Sequence, residues 1–208
     1  MLFNFAVSAL VTLLVVVDPV GLVPIFTGIT DGLSESLRRE VGLRAVLIAG
    51  AILIGAALIG DWLLSLLGIS LSAFRIAGGL LLFWVAAEMV FGVRMRREGE
   101  VAEQAVEERA RNIAAFPLAI PLMAGPGAIT ATVLLAGRAE GSLLLLSLLL
   151  AVVVLVAAAC YLAFLSAAPL GRILGVTGNN VLSRLLGVLL AALAVQFVVD
   201  GIRGVLAG

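Results

Sequence analysis

Histidine and lysine are missing from this chain, and cysteine occurs once, as Cys160 inside an apolar run. A single cysteine closes no disulfide within the chain. Without histidine there is no Cys/His metal cluster and no Ser-His or Cys-His pair for nucleophilic catalysis. Neither an enzyme nor a bound metal or cofactor is expected. Charge is also scarce: 12% of the residues are charged and the formal net charge is zero, whereas soluble domains carry about 25%. Nucleic-acid binding needs a basic face, so no nucleic-acid partner is expected. No G-x-x-x-x-G-K-[ST] motif is present, which argues against a P-loop motor.

Apolar residues fill the space left by these absences. They make up 63% of the chain, and the mean hydropathy is +1.26. This is the composition of an all-α integral membrane protein. A crossing takes ~20 apolar residues, and the chain divides into six transmembrane helices at about 2–29, 45–67, 73–92, 113–136, 143–168 and 181–206. The first stretch has no arginine before its apolar run and no small-residue cleavage motif, so it reads as a span and not a signal peptide. One long hydrophilic segment, 94–111, reads as a solvated linker or a short amphipathic helix.

Arginine placement sets the orientation. Arg38, Arg39, Arg44, Arg94, Arg96, Arg97, Arg109, Arg111, Arg172 and Arg184 fall on one side of a six-span chain. Arg75, Arg138 and Arg203 fall on the other. Positive residues mark the cytoplasmic side, which predicts both termini outside.

The chain also repeats itself. "RIAGGLLLF" from Arg75 and "RLLGVLLAA" from Arg184 stand 109 residues apart, and Pro19 of "DPVG" and Pro126 of "GPGA" stand 107 apart. Corresponding spans of two halves, 1–92 and 113–208, thus match at nearly one offset, with 93–112 as the linker. Three spans per half is odd, so the second half crosses in the opposite sense. That is an inverted repeat, a construction of secondary transporters, with spans one and four broken at mid-membrane.

The breaks are where chemistry is expected. Proline interrupts a helix but is favoured at the first position of a new one, and Asp is favoured just before it as the N-cap. Asp18-Pro19, followed by Gly21, therefore reads as the start of a half-helix, and Gly125-Pro126 as the start of another. Asp18 can satisfy its own half-helix. Gly125 cannot, which leaves the N–H groups of Gly127, Ala128 and Ile129 to bind a carboxylate or phosphate. Gly125 and Gly127 would also let a ligand approach the backbone. A small zwitterion fits, with its ammonium near Asp18 or exposed carbonyls. Asp18 is either a cap alone or a participant with substrate or proton.

The residues carrying "DPVG", "RIAGGLLLF", "FPLAIPLMAGPGAIT" and "LLAALAVQFVVDGIRG" resemble the MarC family of six-span inner-membrane proteins, over nearly the whole chain. That family includes the SnatA-type transporters of small neutral amino acids. The resemblance implies transport of glycine, alanine and similar solutes, with proton coupling. The arginine-only basic residues and the long charged central segment depart from the family without touching the proposed site.

Other polar residues are placed around this reading. Glu88 and Asp200 read as structural partners of an arginine or a helix end, and as coupling or gating candidates beside Asp18. Thr130 and Gln196 are candidates to line the pathway, Thr130 as a substrate-binding residue and Gln196 as a further coupling or gating candidate. Cys160 reads as a packing residue. Gly50, Gly55, Gly78, Gly79 and Gly187 read as close helix contacts, and the residues around Gly171 and Gly175 as a loop. Competing classes are a non-transporting scaffold, an exporter of another small zwitterion and a channel. A channel would call for a polar-lined span or a charged ring, and neither is evident.

Overall fold

The computed structural model describes residues 2–93, 114–139 and 141–207; the charged segment 94–111 and most of the 93–112 linker lie outside them. The chain is helical, with no strand among the described residues. The order is α1 (Leu2–Val17), α2 (Leu22–Ile29), α3 (Glu35–Leu66), α4 (Leu71–Phe91), α5 (Ala114–Met123, wound as a π-helix), α6 (Pro126–Gly137), α7 (Leu143–Leu165) and α8 (Ala167–Ala207).

Short polar residues start these helices. Ser34, Ser70 and Ser142 accept from the N–H groups of Leu37, Ala73 and Leu145 at 3.4, 3.1 and 3.4 Å, each satisfying a donor the first turn leaves open. Gly92 closes α4 in the left-handed conformation, φ 74°, which glycine adopts without a Cβ penalty. The Arg184 side chain lies beside it, a cation at the negative end of a helix.

Two expected loops are helical. The residues before span two join α3, which runs for 32 residues. Glu35–Arg39 and Glu40–Arg44, at 2.9 and 2.7 Å, are i,i+4 pairs in the favoured order and add about 0.3–0.5 kcal/mol each. The residues around Gly171 are likewise part of α8. Pro169 falls in its first turn, where no hydrogen bond is lost, and the helix breaks only at Gly175 (φ 57°, ψ −177°).

Among the described residues, four helices are long and apolar enough to cross a membrane: α3, α4, α7 and the Thr177–Leu206 part of α8. Helices α1 and α2, bent by 42° at their break, together make a fifth. The stretch expected as span four divides into α5 and α6, of 10 and 12 residues. Pro117 and Pro121 bring no N–H to the ladder of α5, and Ala124 N–H reaches back five residues to the Ala119 carbonyl at 2.9 Å.

The most extensive packing is α4 along α8, with α3 against α6 and α7, and α1 against α6 and α7. Glycines set the closeness of α4 and α8. A Cβ on Gly79 would stand 2.7 Å from the Ala194 carbonyl, one on Gly187 3.0 Å from that of Ala86, and one on Gly201 2.8 Å from that of Ser72. A Cβ on Gly78 would instead press on side chains, those of Thr130 and Leu134 of α6. Gly50 and Gly55 do not share this role: a Cβ on Gly50 has one neighbour, at 3.9 Å, and one on Gly55 has none within 4 Å. Gly79→Ala should therefore push against backbone and destabilise by about 1–3 kcal/mol. Gly55→Ala should be neutral or stabilising. Thermal unfolding of the two variants in detergent checks the contrast, and equal midpoints would contradict it.

Candidate functional site

The first break is a tight turn built by Asp18. Its own N–H still closes α1 by donating to the Leu14 carbonyl at 2.9 Å. Its backbone then turns to φ 53°, the only positive φ at a non-glycine residue among the described residues. Asp and Asn visit this region more readily than other side-chain-bearing residues. From there Asp18 Oδ1 accepts from the Gly21 N–H at 3.0 Å, and the Asp18 carbonyl accepts from Leu22 N–H at 3.1 Å. Regular helix begins at Leu22 behind an N-cap at Gly21, so Pro19 is not the first helical residue and Asp18 is not the N-cap that the sequence suggests. The left-handed backbone at Asp18 puts a turn between, and that turn carries the carboxylate. Gly21 sits under it, because a Cβ there would collide with the Asp18 carboxylate. Asp18, Pro19 and Gly21 are all buried.

The second break lacks such a device. Gly125, extended at φ −74° and ψ 173°, precedes Pro126, and no side chain caps α6. The helical ladder opens with Ile129 N–H donating to the Gly125 carbonyl at 3.0 Å. Ile129 is therefore not an open donor as the sequence suggests, and the N–H groups ahead of the ladder belong to Gly127 and Ala128. The two glycines also have another reason to be glycine than ligand approach. A Cβ on Gly125 would run into the Pro121 carbonyl, and one on Gly127 would meet Val85, Val16 and Leu82 at 3.3, 3.5 and 3.7 Å.

That last contact brings the two breaks together. Val16, two residues before Asp18, packs on the first turn of α6. Asp18 itself lines an open cavity of about 400 Å³ with Leu14, Val15, Pro19 and Val20, bordered by Ala159, Leu162 and Ala163 of α7, by Ser166 at the end of that helix and by Leu186 of α8. Cys160, fully buried, lies within electrostatic reach of Asp18. The end of α1 thus presents one side to α6 and another to this cavity. Reasoning from spans one and four alone misses the α7 wall, although Ala159, Ala163 and Ser166 recur at helical spacing as small residues.

The remaining candidates are distributed. Thr130 is buried one turn into α6, against Gly78 of α4. Glu88, also buried, accepts from Trp84 Nε1 at 3.1 Å and stands one turn beyond Val85, on the α4 face that meets Gly127. Asp200 and Gln196 belong to the opposite end of α6. Arg138, which ends that helix, pairs with Asp200 at 2.9 Å and lies 4.5 Å over the Phe197 ring, and Gln196 donates to Asp200 at 2.7 Å. A 12-residue helix puts ~18 Å between the two ends, so the structure does not bring Asp200 and Gln196 to the breaks.

Long apolar helices, a broken pair packed among them and a carboxylate capping the break define a multi-pass helical integral membrane protein. The match to known proteins narrows this. Residues 3–206 fit the model of the MarC family of integral membrane proteins, and the chain belongs to that family. It is 38% identical over 211 residues to the UPF0056 membrane protein YhcE of Escherichia coli, covering 99% of this chain and 96% of that one. It is 37% identical over 201 residues to a UPF0056 membrane protein of Archaeoglobus fulgidus, covering 96% and 92%. With the UPF0056 membrane protein MJ1677 of Methanocaldococcus jannaschii it shares 36% over 209 residues, 98% of each chain. No solved structure matches.

Proposed function

We infer that the protein is a secondary transporter of small neutral amino acids of the glycine and alanine class, coupled to protons. One observation carries the reading: two helix breaks meet inside an apolar bundle, one with a turn held by the Asp18 carboxylate on the Gly21 N–H and the other with no side-chain hydrogen bond to its first turn. A scaffold has no use for such breaks, because irregular backbone at membrane depth costs free energy unless protein or a polar cavity satisfies it. The substrate carboxylate takes the Gly127 and Ala128 N–H groups at the positive end of α6. Its ammonium turns toward Asp18 and the carbonyl end of α1. The substrate class rests on membership of the family that includes the SnatA-type transporters, and a small side chain suits a site framed by close-packed backbone.

In this reading α5 and α6 together complete a sixth crossing, and the halves form an inverted repeat that alternates access around the breaks. Proteoliposome counterflow with labelled glycine, alanine, serine and leucine tests the substrate class. Exchange should be strong for the first two or three and weak for leucine. No exchange with any of them would favour a scaffold or another solute.

The orientation is tested separately. With both termini outside an inner membrane, a membrane-impermeant thiol reagent should label a cysteine added after Gly208 and spare Gln104→Cys in intact cells. Labelling of Gln104→Cys alone would reverse the orientation.

A further inference from the structure

A second cavity, of about 250 Å³, opens where α3 begins and α7 ends. None of the residues lining it belongs to the helix-break site. Its floor is aromatic: Phe26 of α2 and Phe164 of α7 stack with ring centroids 4.4 Å apart and planes 17° from parallel. Gly42 makes room for them, since a Cβ there would touch both rings at 3.5 Å. The guanidinium carbon of Arg38 stands 5.8 Å from the Phe26 centroid, and Arg38 has no ion-pair partner among the described residues. Arg39 and Tyr161 add donors. Glu35, the one acid among the described residues of the rim, is taken up by Arg39 at 2.9 Å.

The lining therefore holds two guanidinium groups against one carboxylate, and with Arg39 paired to Glu35 the Arg38 guanidinium is left over the Phe26 ring face. This suits a tetrahedral oxyanion, which accepts two parallel hydrogen bonds from one arginine. The opening turns of α3 add the positive end of a helix. Leu43 and Leu47 of α3 and Leu162 and Leu165 of α7 are exposed nearby, an apolar track along which an acyl chain can lie. Arginine pockets between transmembrane helices at the cytoplasmic surface are suited to anionic headgroups. We propose that this pocket binds one phosphate group, presented by an anionic phospholipid or by free phosphate.

Thermal unfolding and native mass spectrometry of the purified protein test this with phosphatidylglycerol, phosphatidylcholine and inorganic phosphate as probes. Phosphatidylglycerol should bind and raise the unfolding temperature of wild type and of Arg44→Gln, whose arginine pairs with Glu40 outside the pocket. Arg38→Gln should bind it about tenfold more weakly, the loss expected for one charge-assisted hydrogen-bonding group. Phosphatidylcholine, with no net charge, should do neither. The same Arg38-dependent shift with inorganic phosphate alone assigns the site to free phosphate, and a shift with phosphatidylglycerol alone assigns it to the lipid. Should Arg38→Gln not fold, Arg38→Lys, which keeps the charge and loses the fork, replaces it. Equal affinity in the Arg38 and Arg44 variants, or no binding by either phosphate source, overturns the proposal.

Discussion

Asp18→Asn is expected to yield a folded, membrane-inserted protein that exchanges alanine across the bilayer but no longer accumulates it against a pH difference. The fold should survive for two reasons given by the geometry. An asparagine oxygen can accept from the Gly21 N–H as Oδ1 does now, at 3.0 Å, and asparagine tolerates φ 53° at least as well as aspartate does. What the change removes is the ionisable group. Counterflow involves no net proton movement and should persist, while gradient-driven uptake should fall to the equilibrium level. Asp18→Leu should behave differently. It strains a left-handed residue by about 1–2 kcal/mol and strands a buried N–H at a further cost of about 1–3 kcal/mol, so expression and stability should drop. Full pH-driven accumulation by a folded Asp18→Asn protein would reduce Asp18 to a structural cap.

Gly21→Ala should damage the same turn without touching any charge. Gly21 has ordinary helical angles, φ −61° and ψ −29°, so its backbone accepts alanine. The obstacle is steric: the new Cβ would collide with the Asp18 carboxylate and stand 2.7 Å from its Cγ. The carboxylate must leave the Gly21 N–H, and a buried unsatisfied donor costs about 1–3 kcal/mol. Asp18→Gly keeps the positive φ and removes the obstructing group. The double variant Asp18→Gly with Gly21→Ala should therefore be no less stable than Asp18→Gly alone. Thermal or denaturant unfolding of the four proteins of this cycle measures the coupling. Additive losses would show that the two residues do not act through one contact.

The membrane character and the breaks at Asp18 and Gly125 were legible in the sequence because their signals are local. A carboxylate followed by proline in an apolar run announces a new helix start whatever surrounds it. The left-handed φ of Asp18 was not legible, since nothing in "DPVG" separates a cap in extended backbone from one in a tight turn. The extension of α3 to Glu35 was readable from its i,i+4 charge pairs but was outweighed by polarity. Gly55 and Gly79 look alike in sequence, and only the path of α8 past α4 makes one indispensable and leaves the other facing nothing. The α7 wall of the Asp18 cavity is a matter of tertiary packing, which small residues at helical spacing allow but do not specify.

The central claim is that substrate and proton movement are coupled at the paired breaks. Accumulation of labelled alanine by proteoliposomes, with and without an imposed pH difference, tests it most directly. Wild-type uptake should rise above the equilibrium level when the pH difference is present and collapse to that level when a protonophore dissipates it, and Asp18→Asn should not accumulate alanine. Failure of a pH difference to drive accumulation in a preparation with active alanine counterflow, or undiminished accumulation by Asp18→Asn, would contradict it.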